Sequence, residues 1–194
     1  LLLTLAELGY AHYDGKFFEL TPKILRLGHA YLSATPLARL VQPFLDQLSE
    51  KVGQSASVSV LDGTEIVYLA RASQRRVMSI NLMPGSRLPA YCAFMGRVLL
   101  AYLPVQEADS ILHQSDLRKL TDRTLTDIEE LQSELSNVRR DGYAINDQEL
   151  ERGLCSIAVP LFDRKSRVIA AVNIGAPAAV VPATELKDKF LQPM

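Results

Sequence analysis

The residues best suited to chemistry lie in the stretch RLPAYCAFMGRVLLAYL, residues 87–103. It contains the Cys92 thiol, and Pro89 disfavours helix before an apolar run that predicts a helix from about Ala93. The first N–H groups of a helix lack intrahelical partners, and the helix dipole attracts anions to that end. The stretch is therefore a nucleophile site, a pocket for an anion, or an ordinary core helix after a loop.

The nucleophile interpretation pairs Cys92 with His113, one of three histidines. A helix N-terminus lowers the pKa of a thiol, and histidine can accept its proton. No neighbouring acid would orient this pair, and small cysteines are common in cores. Cys155, in an apolar run, is read as a core residue. We expect no catalytic residue; an enzyme acting through Cys92 would need a thiol that titrates below its ordinary pKa.

The anion-pocket interpretation uses backbone N–H groups near Phe94, Met95 and Gly96. Tyr91, Phe94 and Met95 would enclose an apolar ring or chain, and Gly96 would permit close approach or tight packing. In the core interpretation the same side chains fill the interior and Gly96 packs on a strand. On this stretch alone, the core interpretation is favoured.

Composition limits the function classes. The chain has 194 residues with 48% hydrophobic and 22% charged content, typical of a globular protein with one good-sized domain. Two cysteines cannot form a disulfide framework, so we expect a cytoplasmic protein without a membrane span. P-loop, G-x-G-x-x-G, H-E-x-x-H and C-x-x-C motifs are absent, so no cofactor or metal is expected.

The net charge of −1 conceals two oppositely charged blocks. Residues 107–151 contain 12 acids and 5 bases, which predicts a solvated acidic surface. No acid occurs between Glu65 and Glu107, so that block could receive an anion, although scattered surface arginines are the simpler interpretation. Its arginines are Arg71, Arg75, Arg76, Arg87 and Arg97.

The first 35 residues have the pattern of the end of a winged helix-turn-helix module. A helix over residues 1–8 would stop at Gly9, a hairpin would follow over YAHYDGKFFEL, and Thr21 would cap a helix reaching Ser33. Because the chain starts in mid-pattern without Met, we expect it to be a fragment.

The remaining chain predicts an α+β domain built on an antiparallel sheet, because strands lie at both of its ends with helices between them. The predicted elements are a helix over 36–53, a hairpin of SASVSVL and TEIVYLAR, helices at 93–103 and 105–113, a helix from Thr126 with Glu129 in a capping box to Asp141-Gly142, a hairpin of LCSIAVPLF and VIAAVNIG, and a helix near 184–192.

Three segments resemble the IclR family of bacterial transcription regulators over essentially the whole chain. They are ELGYAHYDGKFFELTPKILRLG, GSRLPAYCAFMGRVLLA and DGYAINDQELERGLCSIAVPLFDRKSRVIAAVNIGAP. In amino-acid sequence, these segments are most similar to the PcaR, PcaU and PobR subgroup of the family, which controls aromatic-acid catabolism through the β-ketoadipate pathway. The resemblance implies a GAF-like effector-binding domain over residues 36–194. It also implies a remnant of the DNA-binding domain over 1–21 and a linker helix over 22–35.

The resemblance also implies a site, in which a small organic acid lies between the sheet and the loop-to-helix junction. Asn146 stands where relatives carry an acidic residue. Its amide can hydrogen-bond a hydroxyl or a carboxylate, and the exchange removes a negative charge that would repel an anionic ligand. Whether the bulky junction accommodates an aromatic face or only changes the pocket's shape stays open. The implied residues are Phe94, Met95, Asn146, Leu154, Ser156, Asn173 and Gly175, together with Gly96 from the helix start.

The implied function is ligand-responsive regulation of catabolic genes by a homo-oligomer, a dimer or tetramer, with a weak preference for activation. A ligand shifts such an equilibrium only through its difference in affinity for the two states. The alternative is a ligand-independent oligomerisation or interaction domain, which predicts that no small acid stabilises the fold.

We predict that this chain alone binds DNA weakly or not at all. Residues 1–35 carry three bases against three acids, and DNA affinity rests chiefly on phosphate neutralisation. Lys16, at the tip of the wing hairpin, is the best remaining phosphate contact, although a solvated lysine is the commoner case. A mobility shift of operator-sized duplex at low salt would contradict the prediction.

Overall fold

The computed structural model describes residues 1–34, 36–73 and 82–194, so the interpretations of Arg75 and Arg76 lie outside the described residues. Contacts divide the chain into two compact units, Leu1–Leu40 and Val41–Met194. The boundaries predicted at residues 21 and 35 remain predictions. No helix in the described part of the chain is long and apolar enough to cross a membrane.

The first unit contains a short helix, a hairpin and a second helix. They are α1 (Leu2–Glu7), β1 (Ala11–Tyr13), β2 (Phe18–Leu20), a 3₁₀ turn (Pro22–Ile24) and α2 (Leu25–Ala34). The Thr21 hydroxyl does not cap the helix as predicted, because it donates to the Gly9 carbonyl at 2.7 Å. Lys16 is exposed at the hairpin, and its role in DNA binding stays a prediction.

The second unit is built on a six-stranded antiparallel sheet with the order β5-β4-β3-β8-β7-β6. This confirms the predicted α+β fold. The strands are β3 (Ser55–Asp62), β4 (Glu65–Ala72), β5 (Arg87–Pro89), β6 (Ala144–Asp147), β7 (Leu154–Phe162) and β8 (Val168–Pro177). The helices are α3 (Pro36–Val52), of which the residues from Val41 onward belong to this unit, α4 (Phe94–Ala101), α5 (Val105–Gln114), α6 (Ile128–Asp141) and α7 (Ala183–Leu186), which continues as a π-helical turn (Lys187–Leu191).

Side chains alternate between two cores on opposite faces of the sheet. Along β7, Cys155 and Ile157 pack with Leu186 and Phe190 near the C-terminus. Ala158 on the same strand belongs to the other core, which includes α4. This division follows from the two-residue period of a strand.

Three predicted features differ from the structure. Helix α6 is capped by Asp127 rather than Thr126, because the Asp127 carboxylate accepts the Glu130 N–H at 3.0 Å. The short strands β5 and β6 were not predicted, since three or four residues give too short a pattern. Helix α3 has apolar residues at helical spacing, including Phe44 and Leu45, which predict one buried face; Leu45 is buried, but Phe44 is 71% exposed.

Candidate functional site

The start of α4 lies over a row of small and polar residues on the sheet. Cross-strand pairs connect Ser55 to Gly175, Gly175 to Ser156, and Ser156 to Asn146. Directly paired residues share a face, so these side chains project toward the same side. Because none of them is large, the sheet surface leaves room beneath the helix start.

The next row on the same face carries the charge. Arg71 pairs with Ser57, Ser57 with Asn173, and Asn173 with Ala158. The positions of Ser57 and Asn173 are two residues from Ser55 and Gly175 on their strands, which places the rows side by side. An arginine and an asparagine therefore flank a serine across three strands.

A small cavity of about 10 Å³ lies between these rows and the helix. That volume holds roughly one water molecule. Among the described residues, four of the predicted ones line it, together with three that were not predicted as part of the site. The predicted ones are Phe94, Leu154, Asn173 and Gly175, and the additional ones are Ser55, Tyr68 and Arg71.

Two polar atoms at this face are buried and have no hydrogen-bond partner in the described part of the chain, the Ser156 hydroxyl and the Asn173 side-chain carbonyl oxygen. Such groups are rare in native folds, because each costs about 1–3 kcal/mol. Their residues are 0% and 4% exposed. A bound polar ligand is one way to satisfy them.

The Arg71 guanidinium is half-buried and has no carboxylate partner among the described residues. Its one side-chain hydrogen bond there is donated to the Ser57 hydroxyl at 3.2 Å. Burial lowers the pKa of Arg71 from its ordinary value, which reflects a desolvated cation without a compensating anion. Burial also raises the pKa of Tyr68, opposed by the positive charge of Arg71, so the phenol stays protonated.

The other predicted residues, Met95, Gly96, Asn146 and Ser156, are not among the described residues that line the cavity, and their role in ligand binding stays a prediction. Met95 is fully buried, and its sulfur accepts the Ser59 hydroxyl at 3.2 Å. A Cβ atom on Gly96 would lie 2.2 Å from the Ala90 carbonyl oxygen, so the glycine is required for the close approach of helix and loop. In this structure both residues make the packing contacts that the core interpretation expects.

Asn146 also acts on the junction. Its amide NH₂ donates to the Cys92 carbonyl at 2.8 Å, and its side-chain oxygen accepts the Glu149 N–H at 3.0 Å. Both hydrogen bonds are buried, so the side chain is committed to the protein. Asn146 connects the loop after β6 to the loop that starts α4.

A buried ion pair completes this connection. Arg97 on α4 makes a bidentate contact with Glu149, with nitrogen–oxygen distances of 2.6 and 2.5 Å, and its Nε donates to the Tyr91 carbonyl at 3.0 Å. Glu149 also accepts the Leu125 N–H at 3.0 Å. The pair was not predicted, because the two residues are 52 positions apart in the sequence.

Cys92 does not have the properties of a nucleophile. It is 0% exposed, and burial raises the pKa of its thiol to about 12, so it stays protonated at neutral pH. The His113 ring is exposed, and its Nδ1 lies 2.8 Å from the Asp109 carbonyl oxygen on its own helix. The condition stated for the enzyme alternative, a thiol pKa below the ordinary value, is not met.

Comparisons with known proteins agree with this architecture. The family model for the bacterial transcriptional regulator IclR C-terminal domain matches residues 29–194. The chain is 46% identical over 191 residues to the Pca regulon regulatory protein of Pseudomonas putida, covering 98% of this chain and 66% of that protein. It is 34% identical to the p-hydroxybenzoate hydroxylase transcriptional activator of Acinetobacter baylyi, covering 98% of this chain and 72% of that protein.

Solved structures give the same result. A transcriptional regulator from Rhodococcus sp. RHA1 superimposes with a TM-score of 0.78 at 47% identity, covering 99% of this chain and 77% of that one. A double mutant of the Acinetobacter PobR inducer-binding domain, in complex with 3-hydroxybenzoic acid, superimposes with a TM-score of 0.75 at 31% identity. The match covers 80% of this chain and 91% of that one. The fold is that of a bacterial regulator's effector domain. The chain belongs to the IclR family.

We predict that Glu149→Gln destabilises the fold by about 3–5 kcal/mol, because it leaves the buried Arg97 cation uncompensated. Urea denaturation would measure the change. The control is Glu185→Gln, which removes a half-exposed carboxylate 2.7 Å from Lys189 and should cost less than about 0.5 kcal/mol. Equal effects of the two substitutions would contradict the assigned role of the ion pair.

Proposed function

We propose that this chain is the effector-sensing part of a cytoplasmic transcription regulator that controls catabolic genes. Its effector is a small aromatic carboxylic acid bound between the sheet and the start of α4. DNA binding belongs to the N-terminal domain of the intact, self-associated protein. The single observation that carries this proposal is a half-buried Arg71 that has no carboxylate partner among the described residues, on the same sheet face as two unpartnered buried polar atoms.

An anionic ligand would relieve the electrostatic cost at Arg71. A guanidinium can bind a carboxylate through two parallel hydrogen bonds, and such charge-assisted bonds are roughly twice as strong as neutral ones. No acid occurs between Glu65 and Glu107, so no carboxylate nearby in sequence competes for the cation. Arg71 is thus the proposed carboxylate anchor.

The far side of the cavity favours a second polar group on the ligand. Asn173 is two strands from Arg71, a Cα separation of about 9–10 Å at normal strand spacing. The unpartnered Asn173 oxygen is an acceptor and requires a donor, which a hydroxyl would supply. A hydroxylated aromatic acid has an anion at one end and a donor at the other.

The relatives support the same ligand class. One is a p-hydroxybenzoate hydroxylase transcriptional activator, and a double mutant of the PobR inducer-binding domain was solved with 3-hydroxybenzoic acid. The chain covers 66% of the length of the Pca regulon protein, so the activity of the whole regulator is a proposal.

A hydrogen bond gives the site a connection to α3. The Gln42 side chain on α3 donates a hydrogen bond to the Arg71 backbone carbonyl at 3.2 Å. A displacement of Arg71 on ligand binding would therefore alter this contact with α3. We propose that α3 transmits the effector state by a population shift between arrangements of the oligomer.

A second candidate, a ligand-independent oligomerisation domain, is favoured by an apolar groove of about 430 Å³ beside α3. Phe44 lines the groove and is 71% exposed. In this alternative, self-association would occur without any effector, and no acid would stabilise the fold.

We expect hydroxybenzoates, at about one hundred times their dissociation constant, to stabilise the chain by about 2.7 kcal/mol in thermal denaturation. Protocatechuate, 4-hydroxybenzoate and β-ketoadipate head the panel. Arg71→Gln should fold and lose the response, because it removes the carboxylate anchor.

The control for this variant is Arg87→Gln on the neighbouring strand, where the side chain pairs with Asp62 and Glu65 at the surface. It should keep the full response. If no acid stabilises the unsubstituted chain, the interaction-domain alternative replaces the sensor; if Arg71→Gln responds fully, the anchor is assigned wrongly.

We predict that Asn173→Leu abolishes the stabilisation by hydroxylated acids while the fold is retained. Leucine has a similar size but no acceptor, so the ligand's donor would be left unpaired. Isothermal titration and thermal denaturation of the same samples would separate binding from folding. An unchanged ligand response would remove Asn173 from the pocket.

A further inference from the structure

We infer that Phe94 is the specificity-determining residue of the effector site, and that its ring limits the size of the acid accepted. The inference rests on the proposed function and concerns the same site. It follows from where the cavity opens, what encloses it, and which parts of the enclosure are held in place.

The cavity opens at Arg71. Of the described residues that line it, six are buried and Arg71 alone is only partly buried. A carboxylate held by Arg71 therefore stays at the opening, and the rest of the ligand extends inward. The interior now has room for about one water molecule, so an aromatic ring needs additional space.

The loop-to-helix junction above the cavity is held in place. The floor is formed by β3, β4, β7 and β8 of the antiparallel sheet. On the other side, Gly96 packs directly on the Ala90 backbone, and the Arg97–Glu149 ion pair holds the same junction. A lateral shift of α4 would break these contacts, so space for a ligand comes from side chains.

Phe94 is the only helical residue among the described residues that line the cavity; the others come from strands. Its ring therefore forms the roof and sets the depth between sheet and helix. It is 2% exposed and fills the position that the inward part of an acid would need. Rotation of this ring admits a ligand, and its bulk sets the upper limit on ligand size.

Truncation of this ring should enlarge the site without closing it, because the helix backbone cannot collapse onto the sheet. The cost of a cavity depends on how far its surroundings relax, and here they are held by the contacts of Gly96 and Arg97. A larger acid would then regain the lost packing. If the Phe94 ring instead served as a stacking surface for the ligand, its removal would weaken the binding of every aromatic acid.

The test is the binding of benzoate and 2-naphthoate to the unsubstituted chain and to Phe94→Ala, measured by isothermal titration. The ratio of the 2-naphthoate to the benzoate dissociation constant should fall by about tenfold or more in the variant. Phe94→Leu, which is milder, should lie between them and serves if the alanine variant does not fold.

The matched control is Phe190→Ala, which truncates a buried phenylalanine in the core on the other face of the sheet. It should lower stability and leave the ratio unchanged. A ratio unchanged in the Phe94 variants, or equal weakening of both acids, overturns the size limit and leaves the sensor proposal standing. If neither acid binds the unsubstituted chain or any variant, both the size limit and the binding of simple aromatic acids are wrong. If the acids bind only to Phe94→Ala, that result supports the size limit.

Discussion

The buried ion pair between Arg97 and Glu149 is the interaction on which the site depends. It joins helix α4 to the loop after β6, and the Arg97 Nε and the Glu149 carboxylate make further hydrogen bonds to Tyr91 and Leu125. Desolvation of two charges is expensive, and only such complete pairing offsets it. Through the Tyr91 carbonyl, the pair ties the loop before α4 to the loop after β6, next to the cavity beneath the helix.

The cavity itself is a local departure from good packing. Small residues on the sheet, a partly desolvated arginine and two unpartnered polar atoms would be poor choices for a core. Natural sequences break such local rules at functional sites and compensate elsewhere. Here the compensation lies in the two cores on either face of the sheet, where apolar side chains are fully buried.

The sequence pointed to some of the residues that line the cavity and missed others for specific reasons. Asn173 and Gly175 were identified from the family resemblance, and the structure places both at the cavity. Arg71 was one of five arginines in a block without acids, and nothing local distinguishes it. Tyr68 could not be predicted because the pairing of β3 with β4 shifts register between Val58 and Ser59. Regular alternation from Arg71 would place Leu69 on this face, whereas the bulge places Tyr68 there.

The sequence by itself determined the long helices, the two long hairpins and the family, because periodic patterns, turn residues and motifs are local in the chain. It also located the loop-to-helix junction within a residue. Only the tertiary structure decided which junction side chains face the cavity and which hold the loop. That choice depends on the register of strands and on contacts between distant residues, as with Arg97 and Glu149, 52 positions apart, which no local pattern records.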